Sequence, residues 1–115
     1  TVAEYWRDNF DLLHIMKRDW TSKGLGAKLA GKVHVFVGAS DTFYLTNAVM
    51  DLQDFVASTV LDPPFDGEIV IGTHDGRGFE HCFNGYMPDG SVAPNGVTRE
   101  LYLQKFLPRM AARFA

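Results

Sequence analysis

A single cysteine, Cys82, leaves this 115-residue chain without an internal disulfide or a multi-cysteine zinc site. Long apolar runs are missing as well: none approaches the roughly 18 to 20 residues that a membrane helix needs. Charge of one sign is scarce. The formal net charge is −3, too small to argue for an acidic or a basic partner. No basic run interleaved with aromatics points to nucleic acid. No stretch reads as a secretory h-region, and the residues carry no reading of localisation. The most consequential absence is a nucleophile elbow. The four serines are Ser22, Ser40, Ser58 and Ser91, and none of them stands in G-x-S-x-G.

Aromatics are plentiful: nine Phe, four Tyr and two Trp. Such a chain can bury a core, and it also has large faces that expect neighbours. Val2, Tyr5/Trp6, Phe10, Leu13 and Met16/Trp20 recur at three- to four-residue steps, which predicts a helix from Val2 to about Trp20. Three glycines between Thr21 and Gly31 stop it, around a short helical turn at Leu25, Ala27 and Leu29. Lys32 to Val37 reads as a strand apolar enough to be buried on both faces, ended by Gly38. A second helix is expected from about Thr46 to Thr59, followed by Asp62-Pro63-Pro64 and a short strand from Glu68 to Ile71. The stretch from Gly72 to about Val97 reads mostly as loop, and a loop of that length usually carries function or disorder. Thr98 caps a last helix running to about Phe114, which Pro108 should kink or restart.

The fold class is therefore α/β, a single domain over residues 1–115 ordered helix-strand-helix-strand-loop-helix, with a short parallel sheet. The strand–helix–strand core is a right-handed crossover unit. Two strands are too few to stand alone, so the chain is expected to be a piece of something larger or to need a partner over its sheet edge.

In open parallel sheets, ligands and reacting groups gather outside the C-terminal ends of the strands. Asp41 follows the first strand there, and His81 follows the second. A carboxylate that holds one imidazole nitrogen leaves the other free to take a proton from a nucleophile. Asp41 and His81 are thus the candidate acid and base. Phe43, Tyr44 and Phe83 flank them as the candidate apolar wall of a substrate pocket, together with Phe79 and Tyr86. Each residue also has an ordinary reading: Asp41 as a cap, His81 as a surface residue, the aromatics as loop packing.

Other chemistries are thinly supported. His74, Asp75, His81 and Asp41 or Asp89 could be drawn as metal ligands, but no H-x-x-x-H or H-E-x-x-H spacing joins them. His14 and His34 fall on a helix and a strand, where structural histidines are the rule. Gly76-Arg77-Gly78 could cradle an anion, although it does not open a helix. No cofactor is implied.

With the strand, Gly38-Ala39-Ser40-Asp41, the following helix and His81 in order, the chain resembles the C-terminal part of the α/β-hydrolases. More narrowly, Asp19-Trp20, the run from Gly31 to Gly38, the run from Asp41 to Val49, and the run from His81 to Gly85 are similar to esterases of the esterase D type. The resemblance implies Asp41 as triad acid, His81 as general base, and a serine contributed by residues upstream of Thr1. It implies a small-molecule ester as substrate once that serine is supplied, and little or no activity for the chain alone. Two alternatives stand beside it: a non-catalytic binding or interaction module, and a metal-dependent hydrolase using His74, His81 and Asp75.

Overall fold

The computed structural model describes residues 1–58, 60–74, 77–79, 86–87, 89–92 and 96–114, the side chains of His74 and Arg77 excepted. Helix α1 (Val2–Phe10) starts at a capping box: Thr1 accepts from the Glu4 amide while Glu4 reaches back to Thr1. The single helix expected up to Trp20 is broken at Asp11. That residue leaves helical geometry (φ −75°, ψ 101°), and its carboxylate accepts the His14 amide at 3.0 Å, which starts α2 (Leu12–Asp19). The apolar spacing runs unbroken through this point, so periodicity alone does not reveal it; the cap decides. A short α3 (Leu25–Leu29) follows.

Strand β1 (Val33–Gly38) and α4 (Leu45–Val56) come next, where the pattern placed them to within a few residues. Strand β2 (Gly67–His74) is longer than the Glu68 to Ile71 segment expected. It continues into β3 (Arg77–Gly78), pairing antiparallel with Thr73 opposite Gly78 and His74 opposite Arg77. The stretch after Gly72 is therefore not purely loop at its start. The polar composition of Thr73 to Gly78 hid a hairpin whose bonds are made by backbone. Helix α5 (Arg99–Ala112) begins at Thr98, whose hydroxyl accepts from Leu101, and it runs on through Pro108. The carbonyl that Pro108 cannot serve belongs to exposed Gln104, where water can replace the missing donor.

The sheet has the order β1-β2-β3, with β1 and β2 parallel, and the class is α/β. The chain divides into two packing units, Thr1–Val35 with Asn47–Val70, and Phe36–Thr46 with Ile71–Ala115.

The first unit is organised by Trp20, only 3% exposed. Its indole N–H donates to the Pro63 carbonyl at 2.7 Å, its ring meets Phe55 edge-on at 5.7 Å, and Phe65 lies 6.3 Å away. Gly26 lies under the indole, where a β-carbon would stand 2.5 Å from Cε2 and 2.6 Å from Nε1. Beside Trp20, the buried Asp19 carboxylate receives two bonds from Arg18, at 2.7 and 2.8 Å, and one from Lys23 at 3.2 Å. In the second unit Phe36 packs edge-on to Tyr102 and Phe106, and Tyr102 and Phe106 are 4.5 Å apart. Among the described residues only Trp20, Val37 and Phe106 are apolar and buried.

Two outcomes follow from the Trp20 environment. Gly26→Ala should destabilise by about 1–3 kcal/mol, because the indole is pinned by its hydrogen bond and cannot retreat; a lowered urea midpoint would register it. Hydrogen bonding from Arg18 outweighs the cost of burial and, with Lys23, holds the Asp19 carboxyl far below its ordinary 3.8. The unfolded chain then takes up this proton before the folded one as pH falls. The stability advantage of the wild type over Asp19→Asn should be whole at neutral pH and shrink as pH drops below 3.8. Urea melts of both proteins from neutral pH to about pH 2.5 would check the sign.

Candidate functional site

Asp41 is built into the turn between β1 and α4. The Gly38 carbonyl at the end of β1 accepts the Asp41 amide at 3.2 Å and the buried Thr46 hydroxyl at 2.6 Å, which fastens the first turn of α4 to the strand end. The Asp41 side chain is itself buried. Its Oδ1 accepts the Phe43 amide at 2.7 Å and, at 3.4 Å, the amide of Leu45, the first residue of α4. Its carbonyl accepts the Tyr44 amide at 3.0 Å. An ionised carboxylate is well placed here, because it gathers amides that the helix start leaves without intrahelical partners.

The turn has a consequence for the aromatics. Tyr44 is held at φ 59°, in the left-handed region that a bulky residue rarely adopts. Phe43 and Tyr44 are 68% and 79% exposed, so neither covers the core.

Across the strand ends, the Ala39 amide donates to the Gly72 carbonyl at 3.0 Å, in the manner of neighbouring strands. The next amide, that of Ser40, donates instead to the Phe79 carbonyl at 2.9 Å, while the Phe79 amide donates to Gly72 at 3.1 Å. The backbone just after β3 is thereby tied to the residue preceding Asp41. Gly78 makes that approach possible, because a β-carbon there would collide with the Ser40 nitrogen and hydroxyl and the Ala39 carbonyl carbon. Sequence reasoning read Gly78 as part of a possible anion nest. Its place is in an extended strand against Ser40, and the glycine next to a short polar run was the only signal for it.

His81 and Phe83 lie outside the described residues, as do Asp75, Gly76, Glu80 and Cys82. Tyr86 is described: its hydroxyl donates to Glu100 at 2.9 Å, in the first turn of α5. Of the remaining metal candidates, the Asp89 carboxylate is engaged by the Ser91 amide and hydroxyl at 2.9 and 2.6 Å, and these bonds lower its pKa. His14 faces Asp8 at 3.2 Å on the helical hairpin, and His34 lies between the Gly31 carbonyl at 3.2 Å and Glu68 at 3.6 Å. Among the described residues no group of three His, Cys, Asp or Glu side chains is placed to hold a metal. No described helix is long and apolar enough to cross a membrane.

Comparison with protein-family models, with curated proteins and with solved structures finds no match to this chain.

The turn gives Asp41 a measurable structural role separate from any chemistry. Asp41→Ala should lose about 1–2 kcal/mol by leaving the Phe43 and Leu45 amides without their acceptor, whereas Asp41→Asn, which keeps an oxygen at Oδ1, should lose less than half of that. Chemical denaturation of the two variants side by side would separate the acceptor from the charge.

Proposed function

We propose that this chain is the acid-and-base portion of a serine ester hydrolase of α/β-hydrolase type, working with a nucleophile supplied by residues outside it. Asp41 is the triad acid, His81 the general base, and Phe43, Tyr44 and Phe83 the apolar wall for the ester. The hydrogen bond from Ser40 to Phe79 carries the proposal. It ties the chain next to Asp41 to the chain two residues before His81, and two residues span at most about 7 Å. That proximity in the chain supports a reading in which acid and base act at one end of the sheet, where parallel-sheet enzymes collect their reacting groups.

In this reading one carboxylate oxygen orients the imidazole and stabilises the imidazolium that forms. The opposite ring nitrogen takes the proton from a serine hydroxyl as that oxygen attacks the ester carbonyl, and later returns it to the leaving alcohol. The bonds from Phe43 and Leu45 to Oδ1 keep the carboxylate in place while charge develops on the ring. Ser40 is a poor substitute for the missing nucleophile, because it lies in Gly-Ala-Ser-Asp, without the second glycine of a tight elbow.

A second reading has its own support. Leu101, Leu103, Leu107, Met110 and Phe114 of α5 and the residues after it are exposed, as expected of a non-catalytic module that docks through apolar faces.

A serine-directed fluorophosphonate separates the two. The 115-residue chain should not be labelled, and stoichiometric labelling would overturn the proposal. In a longer chain that supplies a G-x-S-x-G serine, labelling should appear and should fall roughly 10²–10⁴-fold on His81→Ala. Labelling that ignores His81 would favour the interaction module.

A further inference from the structure

The buried residue of α4 is polar. Val49, Leu52, Phe55 and Val56 form the apolar stripe of this helix and are half-buried, while Thr46 in its first turn is 8% exposed. A helical threonine usually turns its hydroxyl to the carbonyl of the preceding turn or out to water. This hydroxyl crosses to β1 instead and donates to the Gly38 carbonyl at 2.6 Å, at the short end of the range for such bonds.

A ring of bonds closes through that carbonyl. The Gly38 oxygen also accepts the Asp41 amide at 3.2 Å, Asp41 Oδ1 accepts the Leu45 amide at 3.4 Å, and Leu45 is the residue before Thr46. The bonds are unequal. Phe43 holds Oδ1 firmly at 2.7 Å from within the turn, whereas the Leu45 bond lies near the limit of hydrogen-bond reach. A retreat of the helix start by about a few tenths of an ångström would break it. Thr46 opposes that retreat, because its hydroxyl ties the first turn of α4 to the end of β1. Gly38, Asp41 and Thr46 are all buried, so solvent is a poor substitute for the hydroxyl.

We infer that Thr46 is a positioning residue for Asp41: its hydroxyl sets the start of α4 where the Leu45 amide still holds Oδ1. The role rests on the hydrolase reading, in which Asp41 is the triad acid. A triad carboxylate acts by orienting an imidazole, so its placement counts as well as its charge. Without the Leu45 bond the carboxylate gains freedom to swing about its bond to Phe43. Misplacement of this kind lowers the rate of the chemical step and leaves ester affinity alone.

Thr46→Val removes the hydroxyl with little change of shape, and Thr46→Ser keeps it. Amide exchange followed by nuclear magnetic resonance on the 115-residue chain gives the first test. Thr46→Val should speed exchange at Leu45 at least about tenfold relative to Phe43, and Thr46→Ser should restore it. The Tyr102 amide, bonded to the Thr98 carbonyl at the start of α5, reports whether the fold is kept. If Thr46→Val does not fold, the same comparison between Thr46→Ala and Thr46→Ser decides. Exchange at Leu45 that ignores loss of the hydroxyl would overturn the inference.

The second test uses the longer chain that supplies the serine. Thr46→Val should lower the maximal rate of fluorophosphonate labelling about tenfold and leave the half-saturating probe concentration unchanged, with Thr46→Ser recovering the rate. A rate that depends on His81 but not on Thr46 would overturn the positioning role and leave the hydrolase reading standing. Labelling that ignores His81 would overturn that reading, and the role of Thr46 with it.

Discussion

The Ser40 amide makes its hydrogen bond to Phe79 rather than continuing the ladder to β2, and the candidate site depends on that choice. One residue earlier, Ala39 still bonds to Gly72 as a strand neighbour would. Phe79 shares that same Gly72 carbonyl, so three segments meet at the end of the sheet. The arrangement tolerates only glycine at position 78. It leaves Asp41 as the next residue along, in the turn that leads into α4.

Asp19 and Asp41, both buried carboxylates, solve the problem of desolvation differently. Asp19 is matched by cations, with Arg18 gripping both oxygens and Lys23 adding a third bond. Such a group stays ionised and serves as a fixed strut beside Trp20. Asp41 accepts the backbone amides of Phe43 and Leu45. Amides hold a carboxylate in place by direct hydrogen bonds at the start of the helix. The same bonds fold Tyr44 into left-handed geometry and present two aromatics to solvent. Shape and charge at this turn therefore have one origin.

Much of the architecture was legible in the residues. Val33 to Gly38 is β-branched and apolar enough to be a strand in any context, and Thr98 before an apolar-periodic run announces the start of α5. Asp41 could be located from the strand–glycine–Asp order alone. The break at Asp11 was not legible, because the apolar spacing continues through it and only the side-chain cap to His14 shows where one helix ends. The extension of β2 and the β3 hairpin were hidden for another reason. Their pairing is made by backbone groups in a polar, glycine-bearing run that has no apolar alternation to mark it.

The sequence by itself determined the α/β class, the strand–helix–strand core with its closing helix, the position of Asp41 after the first strand and the absence of a G-x-S-x-G serine, since these rest on local periodicity, caps and motif spacing. Only the tertiary structure decided that Phe79 is bonded to Ser40, that Gly78 is required for close approach, and that the aromatic side chains of α1 are exposed. Each of those depends on which segments meet across many intervening residues. Local propensity carries no record of such meetings, because backbone hydrogen bonds and burial depend on the partner and not on the residue alone.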